Sequence, residues 1–221
     1  ESVEGGAWRG RYSIITLKPD LVWRCSGDKA EIARGFDAVA AERYAPETGG
    51  ALDSLRALLD ESRIDFPASL PPMAAGLFGV LGYDMVRLVE PLGPPNPDPL
   101  NLPDAVLVRP SVVAVFDSIG QEIVLATPVR PSGASAREAY DTAAARLEAV
   151  REDLQEPIPM PGDPAPRIQP PFTPGHTLES YGEVVARAKE YIAAGDIFQV
   201  VPSQRFEAPF KLPPFALYRA L

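Results

Sequence analysis

Three polar residues near the end of the sequence have the types and the spacing to bind a small acid. Gln199, Ser203 and Arg205 lie in residues 195–206, which read GDIFQVVPSQRF. If this stretch is a β-strand, its alternation places all three on one face and leaves the opposite face mostly apolar. An amide, a hydroxyl and a guanidinium are suited to binding a carboxylate in a cavity. An amphipathic strand with one face in water shows the same pattern, so spacing leaves both interpretations open.

Other familiar catalytic patterns are absent from the sequence, which has no phosphate-binding loop, GxGxxG, nucleophile elbow or HExxH. The single cysteine, Cys25, excludes an internal disulfide, and with the single histidine, His176, it is too little for a usual zinc site. We interpret Cys25 as a core residue and His176 as an inert residue of a linker. Any metal is expected to be a hard cation such as Mg²⁺, bound by carboxylates and substrate oxygens.

The composition predicts an acidic globular protein of the cytoplasm. The 221 residues are 46% hydrophobic and carry a net charge of −9, without a basic cluster, so neither nucleic acid nor an anionic membrane surface is an expected partner. No apolar run approaches the roughly 18–20 residues that span a bilayer. The sequence opens without methionine and closes on PPFALYRAL, where a helix starts but the sequence stops before a cap ends it, so we interpret it as part of a longer chain.

The elements that would position these residues alternate between hairpins and helices. Residues 12–17 and 21–25 predict a hairpin around Pro19-Asp20, and residues 111–118 and 122–127 predict another around Ile119-Gly120. Glycines at every third position of residues 73–83 predict a buried strand pressed against another backbone.

Helical spacing of apolar residues predicts helices at residues 51–62, after the capping box of Ser135 and Glu138, and between Thr177 and Gly195. Eight prolines in residues 157–174 mark a linker. We therefore predict an α+β protein with antiparallel hairpins and three segments, residues 1–156, a linker at 157–176, and 177–221.

Four stretches, in order along the chain, resemble component I of anthranilate synthase, in the chorismate-utilising enzyme family. They read ESVEGGAWRGRYSIITLKPDLVWR, GLFGVLGYDMVRLVE, LPDAVLVRPSVVAVFD and AKEYIAAGDIFQVVPSQRF. The resemblance implies an antiparallel-sheet sandwich wrapped by helices, incomplete in this chain, with residues 177–221 beginning the chorismate-binding domain. It also implies a lyase that makes anthranilate and pyruvate from chorismate and ammonia, the first committed step of tryptophan synthesis. Mg²⁺ and a glutamine amidotransferase partner belong to that activity.

The resemblance also assigns roles to individual residues. The family's Glu-Ser motif is matched by Glu1 and Ser2, and its serine contacts the feedback inhibitor tryptophan, so these two residues are candidates for the regulatory site. At the position of Gln199, relatives that add water to chorismate have a lysine that acts as a base. A glutamine cannot take a proton from water, whereas ammonia already has a nucleophilic lone pair, so Gln199 favours the amine-adding branch.

Two alternatives to this prediction remain. Aminodeoxychorismate synthase component I, in folate synthesis, has the same expected fold, and a non-catalytic regulatory module would keep the N-terminal region alone. By the resemblance, the main chorismate ligands and the Mg²⁺ carboxylates lie beyond Leu221, so we expect the 221-residue chain alone to be inactive. Within it, Gln199 is the predicted active-site wall residue, and Ser203 and Arg205 are the predicted substrate contacts.

Overall fold

The computed structural model describes four stretches of the chain, residues 10–65, 67–130, 133–157 and 171–221. The chain divides into two compact units, Glu1–Pro157 and Ile158–Leu221. Glu1, Ser2 and most of the predicted linker, residues 158–170, lie outside the described residues. The predicted three-part division of the chain stays a prediction.

One antiparallel sheet of six strands forms the framework of the first unit. Its strands are β1 Tyr12–Ser26, β2 Lys29–Arg34, β3 Ala45–Pro46, β4 Phe78–Leu81, β5 Ala105–Asp117 and β6 Glu122–Ala126. The order is β3-β2-β1-β5, and the far edge of β5 pairs first with β4 and then with β6. Every strand pair in the described residues is antiparallel, and helices accompany the sheet, which confirms the α+β class.

The predicted first hairpin is wrong, because residues 12–17 and 21–25 belong to the single strand β1. Both parts pair with β5, and the register shifts between Pro19 and Leu21 as a β-bulge. Pro19 lies opposite Pro110. Neither proline has an N–H to donate, so pairing them with each other confines the missing hydrogen bonds to one step of the ladder. Pro19 and Asp20 form a bulge inside β1 instead of the predicted turn, because β5 is long enough to pair with β1 on both sides of them. The chain reverses direction later, between β1 and β2.

The second predicted hairpin is confirmed by the antiparallel pairing of β5 with β6. Asp117 closes the turn, since its Oδ1 accepts hydrogen bonds from the N–H groups of Ile119 and Gly120 at 3.0 and 2.9 Å. Its carboxylate also accepts two bonds from Arg11, from Nε at 2.9 Å and from Nη2 at 2.6 Å. One side chain thus fastens both the turn and the start of β1.

The helices of the first unit's described residues are α1 Phe36–Ala40, α2 Ala51–Ser62, a 3-10 helix Tyr83–Leu88 and α3 Ala136–Asp153. The predictions for α2 and α3 are confirmed. At the start of α3 the Ser135 hydroxyl accepts from the Glu138 N–H at 3.3 Å, and the Glu138 carboxylate accepts from the Ser135 N–H at 2.9 Å. This capping box satisfies backbone donors that the first helical turn leaves unpaired.

The hydrophobic core joins β1, β2, β5 and α2. Its buried members are Leu21, Trp23, Cys25, Ala30, Ile32, Ala51, Leu58 and Ala105. The Trp23 Nε1–H donates to the Ser54 Oγ at 2.9 Å, so the polar atom of the largest core side chain is satisfied inside the core. Cys25 is a core residue, as predicted, and burial raises the pKa of its thiol.

Strand β4 is shorter and more exposed than the predicted strand at residues 73–83. Only Phe78–Leu81 pairs with β5, and Val80 and Leu81 are more than half exposed, so the prediction of a buried strand is wrong. The predicted close approach is confirmed at two glycines. A Cβ added at Gly79 would lie 2.0 Å from the Val106 carbonyl oxygen, and one at Gly82 would lie 2.8 Å from that of Asp104. Glycine is therefore needed where β4 presses on β5.

The described residues of the second unit form two helices, α4 Leu178–Ala194 and α5 Pro214–Ala220, and a two-residue strand pair, β7 Thr173–Pro174 with β8 Phe206–Glu207. The predicted ends of α4 are confirmed. The Thr177 hydroxyl accepts from the Ser180 N–H at 3.1 Å, and Gly195 ends the helix in the left-handed conformation at φ 81°. The proline-led start of α5 is also confirmed, with Pro214 in its first turn.

Candidate functional site

The predicted active-site stretch follows α4 but is not a strand. Of residues 195–206, only Phe206 pairs with another strand, opposite Pro174, and the strand prediction for the rest is wrong. Alternation alone does not make a strand, since each N–H and C=O also needs a neighbouring strand to pair with. The described residues of this unit supply only β7, and Pro202 has no N–H to donate. The segment is held instead by the Tyr181 hydroxyl, which donates to the Pro202 carbonyl at 3.1 Å.

The structure exposes polar and apolar side chains of this stretch alike. Phe198 and Val201 are 95% and 79% exposed. Gln199, Ser203 and Arg205 are exposed. Ile197, Val200 and Pro202 instead line an open groove of about 590 Å³ against α4. The polar and apolar residues therefore do not lie on opposite sides of the segment, and the role of the three polar residues as a cavity wall stays a prediction.

The charged member of the predicted site already has a partner. The Arg205 guanidinium makes an ion pair with the Glu207 carboxylate at 2.8 Å, and both side chains are more than half exposed. An exposed pair of this kind contributes only about 0–1 kcal/mol. A carboxylate ligand can therefore replace Glu207 at little cost, so the ion pair does not disqualify Arg205 as a substrate contact.

His176 takes part in the start of α4. Its Nδ1 lies 3.2 Å from the Ser180 Oγ, and its ring lies edge-on to that of Tyr181 at 6.2 Å. The Ser180 hydroxyl is also part of the capping box of α4, in which it accepts from the Thr177 N–H at 3.0 Å. The interpretation of His176 as a residue without a catalytic role stays a prediction. Its contacts with Ser180 and Tyr181 give it a structural role at the start of α4.

The predicted regulatory pair, Glu1 and Ser2, lies outside the described residues, which begin at residue 10. Arg11 and Asp117 form the bidentate ion pair that fixes the start of β1. The hydrogen bonds from Arg11, with those from the two turn amides, hold the pKa of Asp117 well below its usual range. The carboxylate therefore stays charged, and the clamp stays closed, across the physiological pH range.

An arginine cluster on the first unit was not predicted from the sequence. We use this name for Arg109, Arg130 and Arg146, which line one cavity although they come from β5, from the segment after β6 and from α3. Each is an ordinary isolated arginine in the sequence, so spacing carried no signal. Their meeting depends on how β5, β6 and α3 pack.

Two absences can be stated for the described residues alone. Among residues 10–65, 67–130, 133–157 and 171–221, no three or more His, Cys, Asp or Glu side chains gather as a metal ion would require. Over the same stretches, no helix is both long and apolar enough to cross a membrane.

Comparison with known proteins gives relatives over the whole chain. The chain is 53% identical to anthranilate synthase component 1 of Cereibacter sphaeroides, over all of this chain and 44% of the relative. It is 39% identical to the component 1 of Thermus thermophilus, again over all of this chain and 44% of the relative. The chain thus spans less than half the length of these curated relatives.

A solved structure and a protein family match as well. The crystal structure of anthranilate synthase component I from Streptococcus pneumoniae TIGR4 has a TM-score of 0.75 and 24% identity, over 99% of this chain and 46% of that one, which shows a shared fold. Residues 19–221 match the family described as chorismate binding enzyme. The match runs through both units and leaves out only the first 18 residues, and the chain therefore belongs to the chorismate binding enzyme family.

Proposed function

We propose that this chain is part of the large subunit of an anthranilate synthase, working in the cytoplasm in tryptophan biosynthesis. The observation that carries the proposal is the 53% identity to the Cereibacter sphaeroides protein of that name, which extends over the whole of this chain. In the proposed reaction ammonia adds to the ring of chorismate and the ring hydroxyl leaves as water. The enolpyruvyl group then leaves as pyruvate while the ring becomes aromatic, which gives anthranilate. An amidotransferase partner releases the ammonia from glutamine.

Gln199 supports the choice of ammonia over water as the nucleophile. Its side chain is a neutral amide, which cannot act as a base at neutral pH. Addition of water requires such a base, whereas ammonia attacks through its own lone pair. Gln199 is exposed on the segment after α4 and is free to face a substrate. Ser203 and Arg205 lie further along the same segment, and we assign them contacts with the substrate's carboxylate.

The proposal includes Mg²⁺, but the described residues do not fit a Mg²⁺ site. They bring no group of three or more His, Cys, Asp or Glu side chains together. When bound, the ion would hold a carboxylate of chorismate. We therefore place its ligands outside the described residues and assign this chain no step that depends on the metal.

The direct test is an assay of the full-length native protein with chorismate, Mg²⁺ and ammonium. We expect anthranilate, read by its fluorescence, and pyruvate in equal amounts. Accumulation of aminodeoxychorismate without anthranilate would instead assign the protein to the folate branch. Consumption of chorismate without incorporation of nitrogen would contradict the amine-adding proposal altogether.

The role of Gln199 is tested by Gln199→Lys in the same full-length protein. We expect loss of ammonia-dependent anthranilate formation, because a charged ammonium replaces a neutral amide beside the nucleophile. Gln155→Lys is the matched control, since Gln155 is also exposed but lies in the first unit, after α3. Unchanged kinetics in Gln199→Lys would place Gln199 outside the active site.

We also propose that tryptophan inhibits the enzyme through a site that includes Glu1 and Ser2. The variant Ser2→Phe should relieve this inhibition while turnover without tryptophan stays unchanged, because a bulky ring fills space that the inhibitor needs. Ser69→Phe, at an exposed serine of a turn, is the control and should leave inhibition intact. An unchanged inhibition constant in Ser2→Phe would remove this residue from the regulatory site.

A further inference from the structure

A cavity of about 390 Å³ opens between the sheet and α3 in the first unit, and the arginine cluster lines it. The volume equals that of about a dozen liquid waters, which is at the small end of the range for ligand pockets. Part of the lining is apolar, from Phe36, Val129 and Ala143. The cavity therefore combines cations with apolar surface.

Arg109, the first member of the cluster, is neutralised by two carboxylates. Its Nε and Nη2 donate to the Asp20 carboxylate at 2.8 and 3.2 Å, and its Nη1 donates to Glu61 at 3.0 Å. Burial alone would lower the pKa of Arg109, but these two partners outweigh burial and hold the pKa above its usual value. Arg109 therefore forms one wall of the cavity and has little charge to offer a ligand.

Arg130 has no such partner. Its Nε and Nη2 are buried, and in the part of the chain that the structure describes neither makes a hydrogen bond. Burial and the neighbouring charge of Arg109 together lower the pKa of Arg130. A buried guanidinium with two unused donors is costly, and native structures pair such groups. The two free donors are placed like the fork that binds a carboxylate or a phosphate.

The other polar groups of the cavity are only partly used. Arg146 donates to the Thr127 hydroxyl at 3.3 Å and lies 5.6 Å from the centre of the Phe36 ring, and it makes no ion pair with a described residue. The buried Ser111 hydroxyl is likewise without a hydrogen-bond partner in the described residues. Three guanidinium groups thus line the cavity together with one carboxylate, that of Asp20, and positive charge is in excess in the lining.

We propose that this cavity is a binding site for a small organic acid, with the acid's carboxylate on Arg130 and Arg146 and its apolar body against Phe36 and Val129. The Arg130 guanidinium lines the cavity, and its buried Nε and Nη2 supply the charge-assisted hydrogen bonds once the side chain turns toward the acid. The apolar lining favours an organic acid over inorganic phosphate, because phosphate would leave that surface without a partner.

The test is calorimetric titration of the full-length native protein with benzoate, which joins a carboxylate to a compact apolar ring. Benzamide, its neutral analogue, and inorganic phosphate are the comparison ligands. We expect saturable benzoate binding with a Kd near about 1 mM or tighter, and at least about tenfold weaker binding of benzamide. Absence of saturable benzoate binding would overturn the proposal, and binding of phosphate without benzoate would overturn its organic-acid assignment.

Substitutions of the cavity arginines test whether benzoate binds in this cavity. Arg130→Met and Arg146→Met should each weaken benzoate binding by about tenfold or more, because each removes a charge-assisted contact. Arg137→Met is the matched control, since Arg137 lies on α3 but is 82% exposed and pairs with Asp141. It should leave binding unchanged, and so should Ser2→Phe. Equal affinity in Arg130→Met and the native protein would overturn the proposal.

Stability separates a ligand site from a structural role. If Arg130 is paired only when a ligand is bound, Arg130→Met removes an unpaired buried cation from the ligand-free protein. The melting temperature without ligand should then stay the same or rise, because burying an unpaired charge is costly. If a carboxylate elsewhere in the full-length protein already binds Arg130, the variant should melt at a lower temperature. A lower melting temperature, together with benzoate binding that does not change, would assign Arg130 to the scaffold and overturn the site.

Discussion

Removing the hydroxyl of Ser54 should destabilise the first unit by about 2 kcal/mol. The Ser54 Oγ accepts from the Trp23 Nε1–H at 2.9 Å, and both residues are almost fully buried. In Ser54→Ala the indole N–H is left inside the core without a partner, which costs about 1–3 kcal/mol. The second contact of Ser54, to Glu47 at 3.3 Å, adds little, because the partly exposed Glu47 can turn to water.

A double-mutant cycle isolates the hydrogen bond from other effects of the substitution. In Trp23→Phe the indole N–H is already absent, so Ser54→Ala should cost less in that background by about 1–2 kcal/mol. Ser26→Ala is the matched control, because Ser26 is an exposed serine of β1, the strand that contains Trp23. Its free energy of unfolding should lie within about 0.5 kcal/mol of that of the native protein.

The assay is urea unfolding of the full-length protein, followed by circular dichroism because Trp23→Phe removes a fluorophore. Hydrogen exchange of the amides in β1 and α2 then reports whether the lost stability belongs to the first unit. A cost of Ser54→Ala that is equal in the native protein and in the Trp23→Phe variant would show that the hydrogen bond is not its source. A cost below about 0.5 kcal/mol would show that water reaches the indole.

Two further predictions concern β4 and the turn of β5. Gly79→Ala should destabilise the protein by roughly 1–3 kcal/mol, because the new methyl group would overlap the Val106 carbonyl, whereas Gly93→Ala, in open space, should be near neutral in the same urea assay. Asp117 has a folded-state pKa below its unfolded value of about 3.9, so its stabilisation is present above that pH and is lost as pH falls through the folded pKa. Asp117→Asn should therefore weaken the protein at pH 6 and flatten the loss of stability between about pH 4 and 2, whereas Asp53→Asn, at an exposed carboxylate, should keep the native pH profile.

Helices α2, α3 and α4 and the start of α5 could be predicted from the sequence because their signals are local, whereas α1 and the 3-10 helix Tyr83–Leu88 were not predicted. The capping box of Ser135 and Glu138 lies within one turn, and Thr177 and Gly195 mark the two ends of α4 directly. Each of these signals depends only on residues three or four positions apart, or on one residue's backbone preference. Tertiary packing did not need to be known.

The strands were harder to predict because a strand is defined by its partner. Pro19-Asp20 has the composition of a turn, but pairing with β5 on both sides makes it a bulge inside β1. In residues 195–205 the alternation is present but a partner strand is not among the described residues, so no strand forms there. The lack of a hydrogen-bond partner for Nε and Nη2 of Arg130 among the described residues was hardest to predict. It depends entirely on which side chains surround the guanidinium in the folded protein.

The pairing of β1 with β5 sets when the sheet can form on the ribosome. Arg11 and Asp117, which close this pairing, are 106 residues apart, whereas β1–β2 and β5–β6 are hairpins between neighbours in the chain. At about 5–20 residues per second, β1 waits roughly 5–20 s for β5, and until then the edge that β5 will cover is open. An open edge can pair with another nascent chain, and prolines and bulges are the features that prevent such pairing. Pro19 and the bulge beside it interrupt that open edge near its middle, so we expect them to protect the emerging strand from aggregation.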